Sequence, residues 1–170
     1  LTGSKGKVWG IPEQRDIVGI YYNKALFRKA GIAAFPRTWS AFLAACKKLK
    51  DSGVVPFALD GDWVTQLMWA NLIGTQPGGE KFLYKTIANG NYASKAIVVK
   101  ATEFLKSLQT SGYVNQDAFT GDYPNAANPF LQSQAAMIAN GPWMVNADIK
   151  GTSAPASLYP QVGYSPSPGW

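Results

Sequence analysis

Between Gly10 and Leu49 the hydrophobic pattern changes period. Ile17, Val18, Ile20, Tyr21 and Tyr22 are β-branched or aromatic and almost contiguous, which predicts a mostly buried strand. Asn23 offers a side-chain acceptor to the free N–H groups of a helix start, so Lys24 to Ala30 is expected to be a short helix. Gly31 suits the left-handed conformation that closes such a helix. Pro36 keeps the linker extended and Thr38 can cap a second helix. There Trp39, Phe42, Leu43, Cys46 and Leu49 fall on one face, with Lys47, Lys48 and Lys50 mostly outside it.

Beyond Gly53 the same alternation continues. Val54 to Leu59 reads as a short strand, and Asp60-Gly61-Asp62 as a turn whose last residue can cap a helix reaching Thr75. Pro77-Gly78-Gly79 breaks that helix before a weaker one near Glu80 to Ala88, and Asn89-Gly90-Asn91 is a turn. Ser94 is expected to cap a helix with a stripe of Ile97, Ala101, Phe104, Leu105 and Leu108, ending near Gly112. A turn-rich stretch from Phe119 leads to a short helix from about Ala126 through Gln132. Ala136 to Ala139 then reads as a buried strand, Gly141-Pro142 opens another helix at Trp143, and Val162 to Ser165 is a last strand before a proline-rich exit. Short strands alternating with longer helices predict a layered α/β domain.

The 170 residues are enough for one sizeable core, and 46% hydrophobic with 15% charged residues is an ordinary globular balance. No apolar run approaches the ~20 residues of a membrane helix. With neither an initiating methionine nor a charged-then-apolar leader, the chain is expected to be a mature or truncated piece of something longer. The net charge of +6 raises nucleic-acid binding, but the Lys and Arg residues are scattered and no recognition motif accompanies them, so a solvated surface is favoured. The lone Cys46 lies on an apolar helix face and reads as core. The absence of histidine removes Ser-His-Asp chemistry and most zinc sites, and no cofactor or metal is expected.

Several short motifs stand in a telling order: Gly6-Lys7-Val8-Trp9-Gly10-Ile11-Pro12, Tyr22-Asn23-Lys24, Phe27, Ala30-Gly31, Pro36, Thr38-Trp39, Phe130 through Met137, Asn140-Gly141-Pro142-Trp143, and Val162 through Gly169. In this order and spacing the chain closely resembles the extracellular solute-binding proteins, family 1, the maltose-binding-protein-like receptors of sugar ABC importers. Ser133-Gln134 departs from the glycine and charged residue usual there, at a turn ahead of a strand. The resemblance implies one lobe of a type II periplasmic-binding-protein clamshell. Residues 1–15 would be the crossover from the other lobe, 16–165 the C-terminal ligand-binding lobe, and 166–170 the exit toward the missing lobe. It further implies a non-enzymatic receptor at the periplasmic or extracellular face of the bacterial membrane. Such a receptor binds a sugar or oligosaccharide in an interlobe cleft and delivers it to the permease subunits, with any lipid anchor lying outside this chain. A lobe without its partner is expected to expose apolar surface and to bind sugar weakly or not at all.

A sugar site needs rings to stack on C–H faces and polar side chains to bond hydroxyls. Eight Tyr and six Trp supply rings, most of them for the core. The resemblance points to Trp143 as a cleft-lining ring, with a core tryptophan as the alternative. It also points to Asp16 as a carboxylate at the crossover. Arg15 and Glu13 beside it are either site residues or solvated hinge charges. Asp62, Trp63 and Gln66 match a loop that often contributes ligand contacts, while Trp69, Leu72 and Ile73 read as core. Tyr123 and Asn125 in the long loop are further candidates, and Trp9, Trp39 and Phe104 are assigned to packing. Two readings of other classes stand beside this one: a polysaccharide-active enzyme domain, which needs two carboxylates across a cleft, and a basic nucleic-acid-binding module.

Overall fold

Alternation along the first strand sets the layers of the structure. In a computed structural model, which describes residues 6, 8, 10, 11, 13, 14, 16–85, 92, 93 and 95–170, strand β1 runs Gly19–Asn23. It begins later than its hydrophobic run: Ile17 is 64% exposed and Val18 half-buried, because the neighbouring strand ends at Asn140, opposite Gly19. Helix α1 follows (Lys24–Lys29), with Asn23 Oδ1 accepting from the N–H groups of Ala25 and Leu26 at 2.9 and 3.2 Å. Gly31 closes it at φ +68°, as its sequence position predicts. Helix α2 (Trp39–Asp51) is capped by Thr38 and buries Trp39, Phe42, Cys46 and Leu49, whereas Leu43 is half-buried. Burial pushes the Cys46 thiol well above its ordinary pKa, so it is an inert core group.

Strand β2 (Val55–Ala58), helices α3 (Trp63–Gly74), α4 (Gly79–Lys85), α5 (Ala96–Thr110) and α6 (Tyr123–Leu131), strand β3 (Ala135–Asn140) and strand β4 (Val162–Ser165) complete the α-helices and strands among the described residues. In α5 Val98 is buried with Ala101, Phe104, Leu105 and Leu108, whereas Ile97 is half-buried. Helix α6 starts three residues ahead of the predicted Ala126, at Tyr123, because Pro124 pre-sets the first turn. The expected helix after Pro142 is a single turn that widens into a π-helical turn, Val145–Ile149. The expected turn at Asn89-Gly90-Asn91 and the Ser94 cap lie outside the described residues, as do Lys7, Trp9, Pro12 and Arg15.

The sheet has the order β2-β3-β1-β4. β2 and β3 are parallel; β3–β1 and β1–β4 are antiparallel. On one face Phe57 of β2 meets Phe42 of α2 edge to face, and Tyr22 packs on Phe27 and Phe35. On the other, Tyr21 meets Tyr164 edge to face. After β4 the chain stays on the domain: the backbone N–H of Trp39 donates to the Gly169 carbonyl at 2.9 Å, and the Trp170 indole donates to the Leu72 carbonyl while packing on Trp39 and Phe104. The lysines of α2 lie on its outer face, where Lys47 pairs with Asp51 at 2.7 Å. No described helix is long and apolar enough to cross a membrane.

Candidate functional site

The sheet register gathers the candidate residues at one end. Gly19↔Asn140 places the start of β1 beside the end of β3, Ala58↔Ile138 adds the end of β2, and Ile20↔Ser165 adds the end of β4. Residues 16–18, 59–63, 141–143 and 166–168 therefore all leave the sheet on the same side. The Phe57↔Val114 bridge delivers residues 115–125 there too. Loops gathered past the ends of sheet strands are where α/β folds build ligand sites.

Three rings meet in this place. Trp63, the first residue of α3, stacks on Tyr123, the first of α6, with centroids 4.6 Å apart and planes 26° from parallel. Trp143 stands 6.2 Å from Trp63 at 57° and remains 39% exposed. Its position is set by the backbone beneath it: a Cβ built on Gly141 would lie 2.0 Å from the Trp143 ring, so only glycine leaves the ring its seat. Tyr123 is held from behind, its hydroxyl donating to Asp148 Oδ2 at 2.6 Å and accepting from Asn140 Nδ2 at 3.3 Å. Burial, then the Asp148 carboxylate, raises its phenol well above the ordinary value, so it stays a neutral donor. Tyr123 thus backs Trp63, and the two tryptophans form an open, angled platform suited to the apolar faces of a ligand.

The carboxylates divide by role. Asp60, fully buried, rather than Asp62, receives the N–H groups at the start of α3: those of Asp62 and Thr65 bond Oδ1 at 3.0 and 3.1 Å, and that of Val64 bonds Oδ2 at 3.4 Å. This corrects the cap expected of Asp62, whose side chain makes no cap bond and lies exposed. Gln66 is exposed one turn further along α3. Asp16 is exposed before β1 and accepts from Gln14 at 2.6 Å; Glu13 is exposed as well. Arg15 lies outside the described residues. The structure thus brings Trp63, Tyr123 and Trp143 into contact and leaves Asp16, Asp62 and Gln66 as exposed polar groups on segments at the same end. Among the described residues no cluster of His, Cys, Asp or Glu could hold a metal ion.

Asn125 is not part of the platform. Its amide donates to Asp117 Oδ2, and Asn115 donates to Asp117 Oδ1 at 2.7 Å. Asn115, buried and singled out by no motif, also holds Leu59 at both backbone groups (2.8 and 2.9 Å) and so fixes the turn leading to Trp63. Only an isolated asparagine between a helix stop and a long loop could have signalled it. The bonds from Asn125 and Asn115 hold the Asp117 carboxyl below its ordinary value near 3.8. A depressed carboxyl contributes its full stabilisation above that value, and the contribution is lost as pH falls from there through the lower folded value. Urea midpoints followed from about pH 5 to about pH 2.5 should therefore fall less steeply for Asp117→Asn than for the parent; equal slopes would remove Asp117 from the acid response.

Comparison with known proteins gives a consistent result. Residues 1–170 match the family model of the bacterial extracellular solute-binding proteins. The chain is 29% identical over 147 residues to the multiple sugar-binding protein of Streptococcus mutans, covering 83% of this chain and 35% of that one. It is 30% identical over 129 residues to a xylose/arabinose-binding protein of Haloferax volcanii, covering 74% and 27%. The chain spans about a third of the length of these curated relatives. Among solved structures, a chitin oligosaccharide binding protein superposes with a TM-score of 0.84 at 24% identity, over 99% of this chain and 42% of that one.

Proposed function

The chain belongs to the bacterial extracellular solute-binding proteins, and we propose from this that residues 16–165 form the C-terminal lobe of a saccharide receptor for an ABC importer. The observation that carries the reading is the angled platform of Trp63 and Trp143, backed by Tyr123 and built where the loops of the sheet converge. Sugar rings stack on the two indoles, while Asp16, Asp62 and Gln66 bond hydroxyls. The relatives named multiple sugar-binding and xylose/arabinose-binding proteins support this ligand class. Residues 1–15 lead in from a second lobe that closes over the ligand by hinge motion, Glu13 and Arg15 lying at that crossover. The loaded receptor docks on membrane permease subunits at the extracytoplasmic face of the cell. It binds and releases its ligand without chemical change.

One wall of a cleft holds a ligand loosely. In titrations of the 170-residue chain with maltotetraose, cellotetraose and mannotetraose, followed by tryptophan fluorescence, at least one should bind with a Kd of the order of millimolar. Trp143→Ala should weaken that binding about tenfold or more, as loss of a central aromatic anchor does. Tight, stoichiometric binding by this chain, or binding that Trp143→Ala leaves unchanged, would overturn the one-walled platform.

A further inference from the structure

The charge around the platform is one-sided. The segments that carry the three rings, 59–63, 117–125 and 140–149, contain Asp60, Asp62, Asp117, Asp122 and Asp148 and not one lysine or arginine, whereas Asp16 at the crossover is directly preceded by Arg15. The described cations stand on other segments: Lys24, Arg28 and Lys29 on α1, Lys47, Lys48 and Lys50 on α2, Lys81 and Lys85 on α4, Lys95, Lys100 and Lys106 at and along α5, and Arg37 beside residues 166–168 at the far edge of the sheet. Lys150, nearest in sequence, lies with its ammonium over the Tyr159 ring, 4.6 Å from the centroid. In a chain with net charge +6, the segments of the ring platform thus carry acidic side chains alone.

The backbone at the start of α3 supplies no compensating positive site. The N-terminus of α3 opens beside Trp63, and its free N–H groups would ordinarily attract a phosphate or carboxylate. Here the carboxylate of Asp60 already occupies them, accepting from Asp62, Val64 and Thr65. An incoming anion meets a filled cap and the exposed charge of Asp62. The remaining acceptors are suited to hydroxyl donors, which uncharged sugars carry on every ring.

Resting on the saccharide reading, we propose that this face selects uncharged saccharides and excludes those bearing carboxylate or phosphate, with Asp62 and the Asp60-filled start of α3 as the elements that discriminate. The site lies on the rings, and the carboxylates decide which ring-shaped ligands reach them.

The test pairs each of maltotetraose, cellotetraose and mannotetraose with its C6-oxidised form, in which every primary hydroxyl has become a carboxylate and the pyranose ring is unchanged. Titrated against the 170-residue chain at about 20 mM salt, the uronate form should bind about tenfold or more weakly than its neutral parent. The gap should shrink as salt approaches 1 M, where screening acts over about 3 Å. Asp62→Asn should narrow it at low salt. A uronate that binds as tightly as its neutral parent at low salt would overturn the charge selection while leaving the saccharide reading standing. Failure of every neutral and oxidised sugar to bind would overturn both.

Discussion

Asn115→Ala is expected to destabilise the domain by roughly 3 kcal/mol or more, the largest loss from any single side chain outside the hydrophobic core. Asn115 bonds Leu59 twice, accepting from its N–H at 2.8 Å and donating to its carbonyl at 2.9 Å, and Leu59 is fully buried. Alanine leaves both backbone groups without a partner or water, at about 1–3 kcal/mol each. It also removes a donor from Asp117 and another from the Asn125 carbonyl. Asn115→Asp keeps the shape but turns a donor into an acceptor facing the Leu59 carbonyl and the Asp117 carboxylate. At neutral pH it should be no more stable than the alanine variant. Urea denaturation of the three proteins measures this; a loss under about 1 kcal/mol for Asn115→Ala would show that the pair to Leu59 contributes little.

The same residue marks the border of what the sequence reveals. Elements written into local chemistry are legible: the Asn23 and Thr38 caps, the Gly31 stop and the α2 face of Trp39, Phe42, Cys46 and Leu49 all stand where the pattern puts them. Boundaries set by partners are not. β1 starts at Gly19 because β3 stops at Asn140, and nothing in Ile17 or Val18 encodes that. Nor does Asp60-Gly61-Asp62 reveal which aspartate caps α3; the buried one does, since its oxygens have no solvent to compete.

The site follows the same division. Trp143 and Trp63 are visible through motifs, and the structure places them in one cluster with Tyr123. Their supports act across the chain: Asn115 holds Leu59 from 56 residues away, and Asp148 and Asn140 hold Tyr123 from 25 and 17 residues away. A scaffold group of this kind has no spacing to read. Its role lies in what it holds still.

Gly141→Ala should then separate the platform from the fold. Gly141 has no left-handed backbone to protect, and the nearest obstacle to alanine is the Trp143 ring: its Cβ would lie 2.0, 2.2 and 2.4 Å from three atoms of that ring. That ring is 39% exposed and can swing outward, so the stability cost should stay within about 1–2 kcal/mol. The displaced indole leaves its 6.2 Å pairing with Trp63, and the near-ultraviolet circular dichroism of the coupled rings should fall. Saccharide binding should drop about tenfold or more, matching Trp143→Ala. Because both changes act on one ring, their effects should not add: Gly141→Ala in a Trp143→Ala background should cost no further affinity. Parent-like binding by Gly141→Ala, or losses that add in the double variant, would show that the seat beneath Trp143 does not govern the platform.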